Sequence, residues 1–446
     1  MRRWAIGAAA LALLAAGGVA AWTVGANRID AAIEREIAAL AASGLRVETA
    51  TRGTTGFPFL WRYEAEGLSV ADPAGLWRLD APRARAEIAQ GATGGALVRL
   101  TLPEGAALGV PGQGVSFAVD AEGLEVAPAE AAPLRAARLA LTQTEGPGDL
   151  SATLRDVALR AARADPGARA AALDAASLVL SRDGATARLE EVSAAAEASG
   201  LAAPSLAAFQ AAHGAASVSV TARRGQAETP EGAATFGPAR MALRIDADGA
   251  ALEAAAEDVA PRLGVAGAAR IRSVEGGMRL PLRPGPEPGR YGMWLRADGA
   301  EGDAAFWEAL DPDGALDRSA ATLQTVISGD ADLIGPAAGR PPRLTVSTVE
   351  IERFRAEALG AQIDATGLLR IRPGSETPDG EIALRLEGWE AALDDLGAAG
   401  LIGPDQMDFA RAMAETYARP GAEPGALDSV IALRDGAVFA NGVRVR

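Results

Sequence analysis

The sequence predicts a mainly β (α+β) chain: an N-terminal transmembrane helix followed by a long, curved antiparallel β-sheet with a few helices packed on it. Three observations predict this. From Leu45 onward, apolar residues recur mostly at every second position, the period of a strand with one covered and one wetter face. Asp-Gly and Asn-Gly pairs punctuate those runs, and such pairs supply the positive φ angles of tight hairpins. Ahead of them, Trp4 to Ala26 contains no charged residue.

Residues 1–26 are the first element. Roughly 20 apolar residues in a helix cross the ~30 Å hydrocarbon core. Arg2 and Arg3 precede the run, and positive charge there keeps that end in the cytoplasm. The expectation is a single-pass inner-membrane protein with the bulk of the chain in the periplasm. Removal as a signal peptide, after small residues near Val19 and Ala21 or Val24 and Ala26, is the alternative. The run is longer than a usual signal core, and Trp22 suits a membrane interface, which favours an anchor. Residues 27–44 read as a membrane-proximal helix, with Ile29, Ile33, Ile37 and Leu40 at three- and four-residue spacing and Gly44 as its C-terminal cap.

Residues 45–281 read as a β-meander. Arg240 to Asp246 places Met241, Leu243 and Ile245 on one face, and Val218 and Val220 alternate with Ser217, Ser219 and Thr221. Hairpins are expected at Asp183-Gly184, Asp248-Gly249, Asp298-Gly299, Asp379-Gly380, Asp435-Gly436 and Asn441-Gly442. The stretch Ala161 to Ala176 is ambiguous, since alanine favours helix while its flanks alternate. Leu282 to Arg290 is the best linker candidate and Gly335 to Pro342 the next, although one continuous sheet explains the pattern equally well.

Residues 291–446 read as a second β region interrupted by helices. Helices are expected at Asp303 to Leu310, at Arg318 to Ile327, at Trp389 to Leu396 and at Gln406 to Ala418. Ile382, Leu384 and Leu386 alternate on the strand between them. A hairpin near Val430 to Val445 closes the chain.

Composition removes whole classes of chemistry. All 43 basic residues are Arg, the net charge is −15 and the pI is about 4.8, without a basic stripe, which argues against a nucleic-acid partner. With no cysteine, the fold has no disulfides, and thiol nucleophiles and thiolate metal sites are excluded. Histidine occurs once, at His213, so a multi-histidine metal site is impossible. The expectation is a non-enzymatic protein with no catalytic, metal or cofactor-binding residues.

A few signals need weighing singly. Gly56, Phe57, Pro58, Phe59 and Trp61 form a candidate contact loop for a membrane or a partner; the simpler reading is that Pro58 fixes entry into a strand while the aromatics plug the sheet end. Asp311, Asp313 and Asp317 are spaced like a calcium loop but lack its terminal glutamate, so a helix-ending turn capped by Asp is the better account. His213 reads as a helix C-terminal residue. Asp394 and Asp395 are adjacent on a helix and point about 100° apart, so they read as a solvated face. Arg83, Arg85, Arg434 and Arg444 read as the outward polar face.

The string Thr55-Gly-Phe-Pro-Phe-Leu-Trp-Arg62, followed by Leu68-Ser-Val-Ala-Asp-Pro73 and Trp77-Arg-Leu-Asp-Ala-Pro82, resembles the start of the domain of unknown function 2125 family of alphaproteobacterial envelope proteins. Towards the other end, Asp364 to Ile371, Asp379 to Leu386, Leu393 to Leu396 and Asp435 to Gly442 are similar in order to the C-terminal modules of AsmA-like proteins. The resemblance implies a curved sheet with an apolar concave face, in a class associated with lipid handling. The expected partners are therefore the inner membrane, through the N-terminal helix, and a phospholipid ligand. A ligand-free interaction scaffold for envelope proteins is the alternative. A carboxylate-based glycan hydrolase needs neither His nor Cys, but nothing marks a pair of converging acids.

Overall fold

The computed structural model describes residues 30–445 except 32–33, 36, 39–40, 42–44, 57–59, 72–76, 91–95, 103–104, 112–113, 127–133, 166–167, 200–213, 231, 263–268, 283–287, 335–342 and 373–376. The uncharged run from Trp4 to Ala26 lies outside them. Among the described residues no helix is long and apolar enough to cross a membrane. The described residues between 30 and 41 are helical, where the isoleucine spacing predicts a helix.

The protein is mainly β, and its strands pair antiparallel. It divides into two compact units, Met1–Ala194 with Leu201–Ser205, and Ala195–Gly200 with Leu206–Arg446.

In the first unit β1 (Arg46–Glu48) and β2 (Thr51–Gly56) both pair with β3 (Leu60–Ala71), and β3 pairs with β4 (Arg78–Gln90). Two shorter strands, β5 (Ala96–Leu102) and β6 (Ala107–Val110), bridge β4 to β7 (Val115–Val126). The order continues through β8 (Leu134–Glu145), β9 (Ser151–Asp165) and β10 (Ala168–Arg182), and β11 (Ala185–Ser199) follows. The ambiguous alanine stretch is strand, with Ala161 opposite Ala171 and Ala162 opposite Ala170. Pairing on the sheet overrides alanine's helix propensity there.

The second unit begins with β12 (Ala215–Ala222), β13 (Arg224–Thr229), β14 (Gly232–Phe236), β15 (Ala239–Ile245), β16 (Gly249–Arg262), β17 (Ala269–Pro281) and β18 (Gly289–Gly302). The Pro-rich segment after Pro281 thus joins two neighbouring strands, which pair through Arg279 and Gly292. Next come α1 (Ala304–Leu310), β19 (Ala321–Ile334), β20 (Arg343–Val346), β21 (Thr348–Ala358), β22 (Ala361–Arg370) and β23 (Asp379–Glu387). Helices α2 (Trp389–Ala398) and α3 (Pro404–Tyr417) precede β24 (Arg419–Pro420), β25 (Leu427–Arg434), β26 (Ala437–Ala440) and β27 (Val443–Arg444). The backbone of this sheet runs β12–β15–β16–β17–β18–β19–β21–β22–β23–β25.

Three sequence expectations are corrected. The pair Asp379-Gly380 is not a hairpin turn: it opens β23, where Asp379 pairs with Arg370 and Gly380 with Leu369. The segment Arg318 to Ile327 is not a helix: from Ala321 it is strand β19, paired with β18 on one side and β21 on the other. Its β-branched Thr322, Thr325, Val326 and Ile327 suit a strand flanked on both sides, and Leu323, Val326 and Ile327 fit helical spacing only by coincidence over so short a run. The pair Asp298-Gly299 is not a hairpin turn. It lies inside β18, where the register slips between Ala297 and Ala300 and Gly299 has φ +68°. That is a β-bulge, which uses the same left-handed glycine as a turn.

The turns at Asp183-Gly184, Asp435-Gly436 and Asn441-Gly442 do form, with positive φ at both residues of each. Leu359-Gly360 repeats the pattern between β21 and β22.

Candidate functional site

Cross-strand partners share a face of a sheet, so the register fixes which side chains stand together. In the second unit one transverse row runs Val218, Leu243, Leu252, Met278, Met293 and Ile327, and continues through Ile351, Gly367, Ile382 and Ile431. A parallel row on the same face runs from Ala222 through Val274, Leu323 and Ile363 to Leu427, and it too is wholly apolar. Neither row contains a charged residue across ten strands.

The reverse face has the opposite character. One of its rows reads Thr221, Arg240, Ala255, Glu275, Arg296 and Gln324, then Arg355, Asp364, Arg385 and Asp428. Arg385 pairs with Asp428 at 2.9 Å, and the two interactions shift each other in the stabilising sense: a hydrogen bond and the opposite charge raise the guanidinium pKa and lower that of the carboxyl. This face carries two shallow concavities of mixed lining, of about 540 Å³ beside Trp294, Arg279 and Glu352, and of about 770 Å³ beside Arg355, Arg385 and Asn441.

The apolar face of this unit is incompletely covered. Met278 and Met293 at its centre are 41% and 43% exposed, and Met241, Leu295 and Ile363 are exposed as well. The fully buried residues of the unit are mostly alanines, such as Ala331, Ala432 and Ala440. Large apolar side chains left partly in water on one contiguous face are the unusual feature of this molecule.

The first unit repeats the two-faced design. Trp61, Ile88 and Val98 align on one face, as do Leu134, Leu159 and Leu173, and Leu139, Leu154 and Leu178. On the other face Arg62, Glu87, Arg99, Glu125 and Arg135 alternate in charge, with Arg62–Glu87 and Arg99–Glu125 each at 3.0 Å. Here the apolar side is better buried: Leu124, Ala136, Leu154, Val157 and Ala175 form a core cluster against Leu100, Leu134 and Leu173.

Of the candidate contact loop, Gly56 and Trp61 are cross-strand partners on β2 and β3, and Trp61 begins an apolar row. Phe57, Pro58 and Phe59 lie outside the described residues, as does His213. Asp311 closes α1, and its side chain accepts hydrogen bonds from the Ala315 and Leu316 amides. Asp394 pairs with Arg411 and so ties α2 to α3, apart from Asp395. Arg83, Arg85 and Arg434 pair with Glu66, Glu64 and Glu381, and Arg444 is exposed. Among the described residues no group of three His, Asp or Glu side chains could hold a metal ion.

Sequence reasoning missed a repeated local device. Gly67, Gly123, Asp156, Glu191, Asp258 and Gly299 all have positive φ inside strands. Each is the third residue of a similar tetrapeptide: Ala65-Glu-Gly-Leu68, Ala121-Glu-Gly-Leu124, Leu154-Arg-Asp-Val157, Leu189-Glu-Glu-Val192, Ala256-Glu-Asp-Val259 and Ala297-Asp-Gly-Ala300. The apolar first and fourth residues flank two more polar ones, and the bulge returns the fourth to the face of the first. The recurrence of Ala-Glu-Gly-Leu was the signal that could have revealed it.

The fold and its faces define a class: a mainly β protein whose antiparallel sheets separate a charge-paired face from an apolar one. The chain belongs to the family DUF2125, described as an uncharacterized protein conserved in bacteria, which it matches over residues 22–242 and 174–445. No curated protein and no solved structure matches it.

Proposed function

We propose that this is a non-enzymatic protein of AsmA-like build, anchored in the inner membrane by residues 1–26 and exposed to the periplasm, whose apolar sheet face binds or conducts lipid acyl chains. The observation that carries the reading is the uncharged, partly exposed face of the second unit around Met278 and Met293. Its dimensions suit an acyl chain. Ten strands about 4.8 Å apart give a face roughly 45 Å wide, and the three row intervals from Leu280 through Met278 to Val274 cover about 20 Å along a strand. One leaflet of a ~30 Å hydrocarbon core is about 15 Å deep. Aliphatic and methionine side chains dominate the face, which favours flexible chains over aromatic cofactors.

Native mass spectrometry with lipid extraction tests this on residues 27–446 purified from the periplasm of a Gram-negative host. Phospholipid should accompany the protein and be lost in the Met278→Asp/Met293→Asp variant. A folded wild-type protein free of lipid would count against the reading. A second reading, a ligand-free scaffold for envelope proteins, is favoured by the α2–α3 pair, where Phe409 is 67% and Leu401 42% exposed. Envelope pull-downs lost in Phe409→Asp would support it.

A further inference from the structure

On the charge-paired face of the second unit, missing side chains open a gap that polar groups and one aromatic ring surround. Cross-strand pairing places Glu253, Gly277, Trp294 and Val326 in one row of that face, and Ala251, Arg279, Gly292 and Ser328 in the next. The Trp294 indole fills the space that a side chain at Gly277 would take: a Cβ there would lie 2.7 Å from its Nε1 and 3.1 Å from its Cε2. The ring is therefore laid across the neighbouring strand, yet Trp294 stays 37% exposed, and it and Phe409 are the exposed aromatic residues among those described. A Cβ at Gly292 would meet only the Ile327 carbonyl, at 3.8 Å, so the space beside the ring is open. This is the concavity of about 540 Å³, a size within the ~300–1,000 Å³ usual for small-molecule sites. Arg279 and Glu253 line it, and neither has an ion pair or a hydrogen bond among the described residues. On the far side Ser328 accepts a hydrogen bond from Arg290 at 3.0 Å and donates one to Glu352, so that wall is fixed.

We propose that this concavity binds a neutral glycan, with one sugar ring stacked on Trp294 above the Gly292 gap and its hydroxyls bonded to Arg279 and Glu253. A pyranose ring has an apolar C–H face, which suits the negative face of an indole, and a rim of hydroxyls. A guanidinium only donates hydrogen bonds and a carboxylate only accepts them, whereas a hydroxyl does both, so hydroxyls satisfy the two walls at once. The mixed charge selects against simple ions: Glu253 and Glu352 repel an anion, and Arg279 and Arg244 a cation. Because Trp294 is already packed over Gly277, a sugar has little of the ring to order on binding. The site lies on the face opposite the Met278 and Met293 row, so it stands independently of the lipid reading.

Saturation-transfer NMR on the full chain, solubilised in a detergent without a sugar headgroup, tests this with chitotriose, maltotriose, mannotriose and the zwitterion glycerophosphoethanolamine. At least one trisaccharide should bind, with saturation strongest on its ring C–H protons. Trp294→Ala should weaken that binding at least about tenfold, and Glu253→Gln about three- to tenfold. Gly277→Ala keeps the indole but sets a methyl group 2.7 Å from Nε1, so the ring must leave its place and affinity should fall with it. Circular dichroism checks that each variant is folded; if Trp294→Ala is not, the exposed Glu253→Gln decides. The proposal is overturned if no trisaccharide binds, or if the folded variants bind as tightly as the wild type. Binding of glycerophosphoethanolamine alone also overturns it, and would make the concavity a site for a zwitterionic headgroup.

Discussion

At the scale of single residues, Asp311 shows how a polar group can be central to a thin core. Its side chain is fully buried after α1 and accepts hydrogen bonds from the Ala315 amide at 2.8 Å, the Leu316 amide at 3.0 Å and Arg318 at 3.2 Å. Arg318 in turn lies 5.3 Å from the Trp307 ring centre, and Trp307 meets Phe306 edge to face. Burial pushes the Asp311 pKa up, but the two amides and Arg318 together outweigh it and hold the carboxyl below its usual value. A group with a lowered folded pKa contributes stability that is complete above the unfolded value of about 3.9 and is lost as pH falls through the folded one. Thermal melts should therefore be flat above about pH 5 and fall steeply below about pH 4. Asp311→Asn should lower the melting temperature at neutral pH and flatten the acid limb; an unchanged acid limb would show that other carboxyls, such as Asp174, Asp246 and Asp428, carry it. The sequence marked Asp311 as a capping aspartate but not its burial, because Arg318 belongs to a segment that reads as helix and folds instead as the lead into β19.

Secondary elements here are shaped by the recurring bulge. Asp156 at φ +51° occupies the position that glycine fills at Gly67, Gly123 and Gly299. A left-handed conformation costs an ordinary L-residue about 1–2 kcal/mol and aspartate less. Asp156→Gly should thus leave urea stability unchanged or raise it by about 0.5 kcal/mol, whereas β-branched Asp156→Val should cost at least about 1 kcal/mol. Equal effects of the two changes would mean that the bulge relaxes freely. The hairpins at Asp183-Gly184, Asp435-Gly436 and Asn441-Gly442 were legible because these pairs act locally, through φ alone. The bulge at Asp298-Gly299 was not, since an identical dipeptide does two jobs and only the neighbouring strand's register separates them. Local signals cannot make that distinction.

For the molecule as a whole, the contrast between the two apolar faces yields a stability prediction. Leu154 belongs to a closed core cluster at 8% exposure, so Leu154→Ala should cost about 2–5 kcal/mol by chemical denaturation. Met278→Asp/Met293→Asp alters side chains already more than a third in water, and each change should cost about 1 kcal/mol or less. If the methionine changes unfold the protein, the face is a core under some cover and not a binding surface. Retained stability with loss of bound lipid is the expected result. The apolar rows were half legible: alternation marked Met241, Leu243 and Ile245, and the aromatic Trp61, as inward residues of their own strands. Which strand lies beside which requires pairings such as β12 with β15, which skip intervening elements.

The sequence by itself determined the β character, several of the hairpins, the family, and the absence of cysteine chemistry and multi-histidine metal sites. Each of these follows from residue inventory, from a period of two, or from the φ preferences of one or two neighbouring residues. Only the tertiary structure decided that Arg318 to Ile327 contains the start of a strand, that Asp298-Gly299 bends a strand instead of ending it, and that apolar residues from ten strands line up as one partly exposed face. Those outcomes depend on register between segments far apart in the chain, and register is fixed by cross-strand packing and hydrogen bonding that a one-dimensional pattern does not contain.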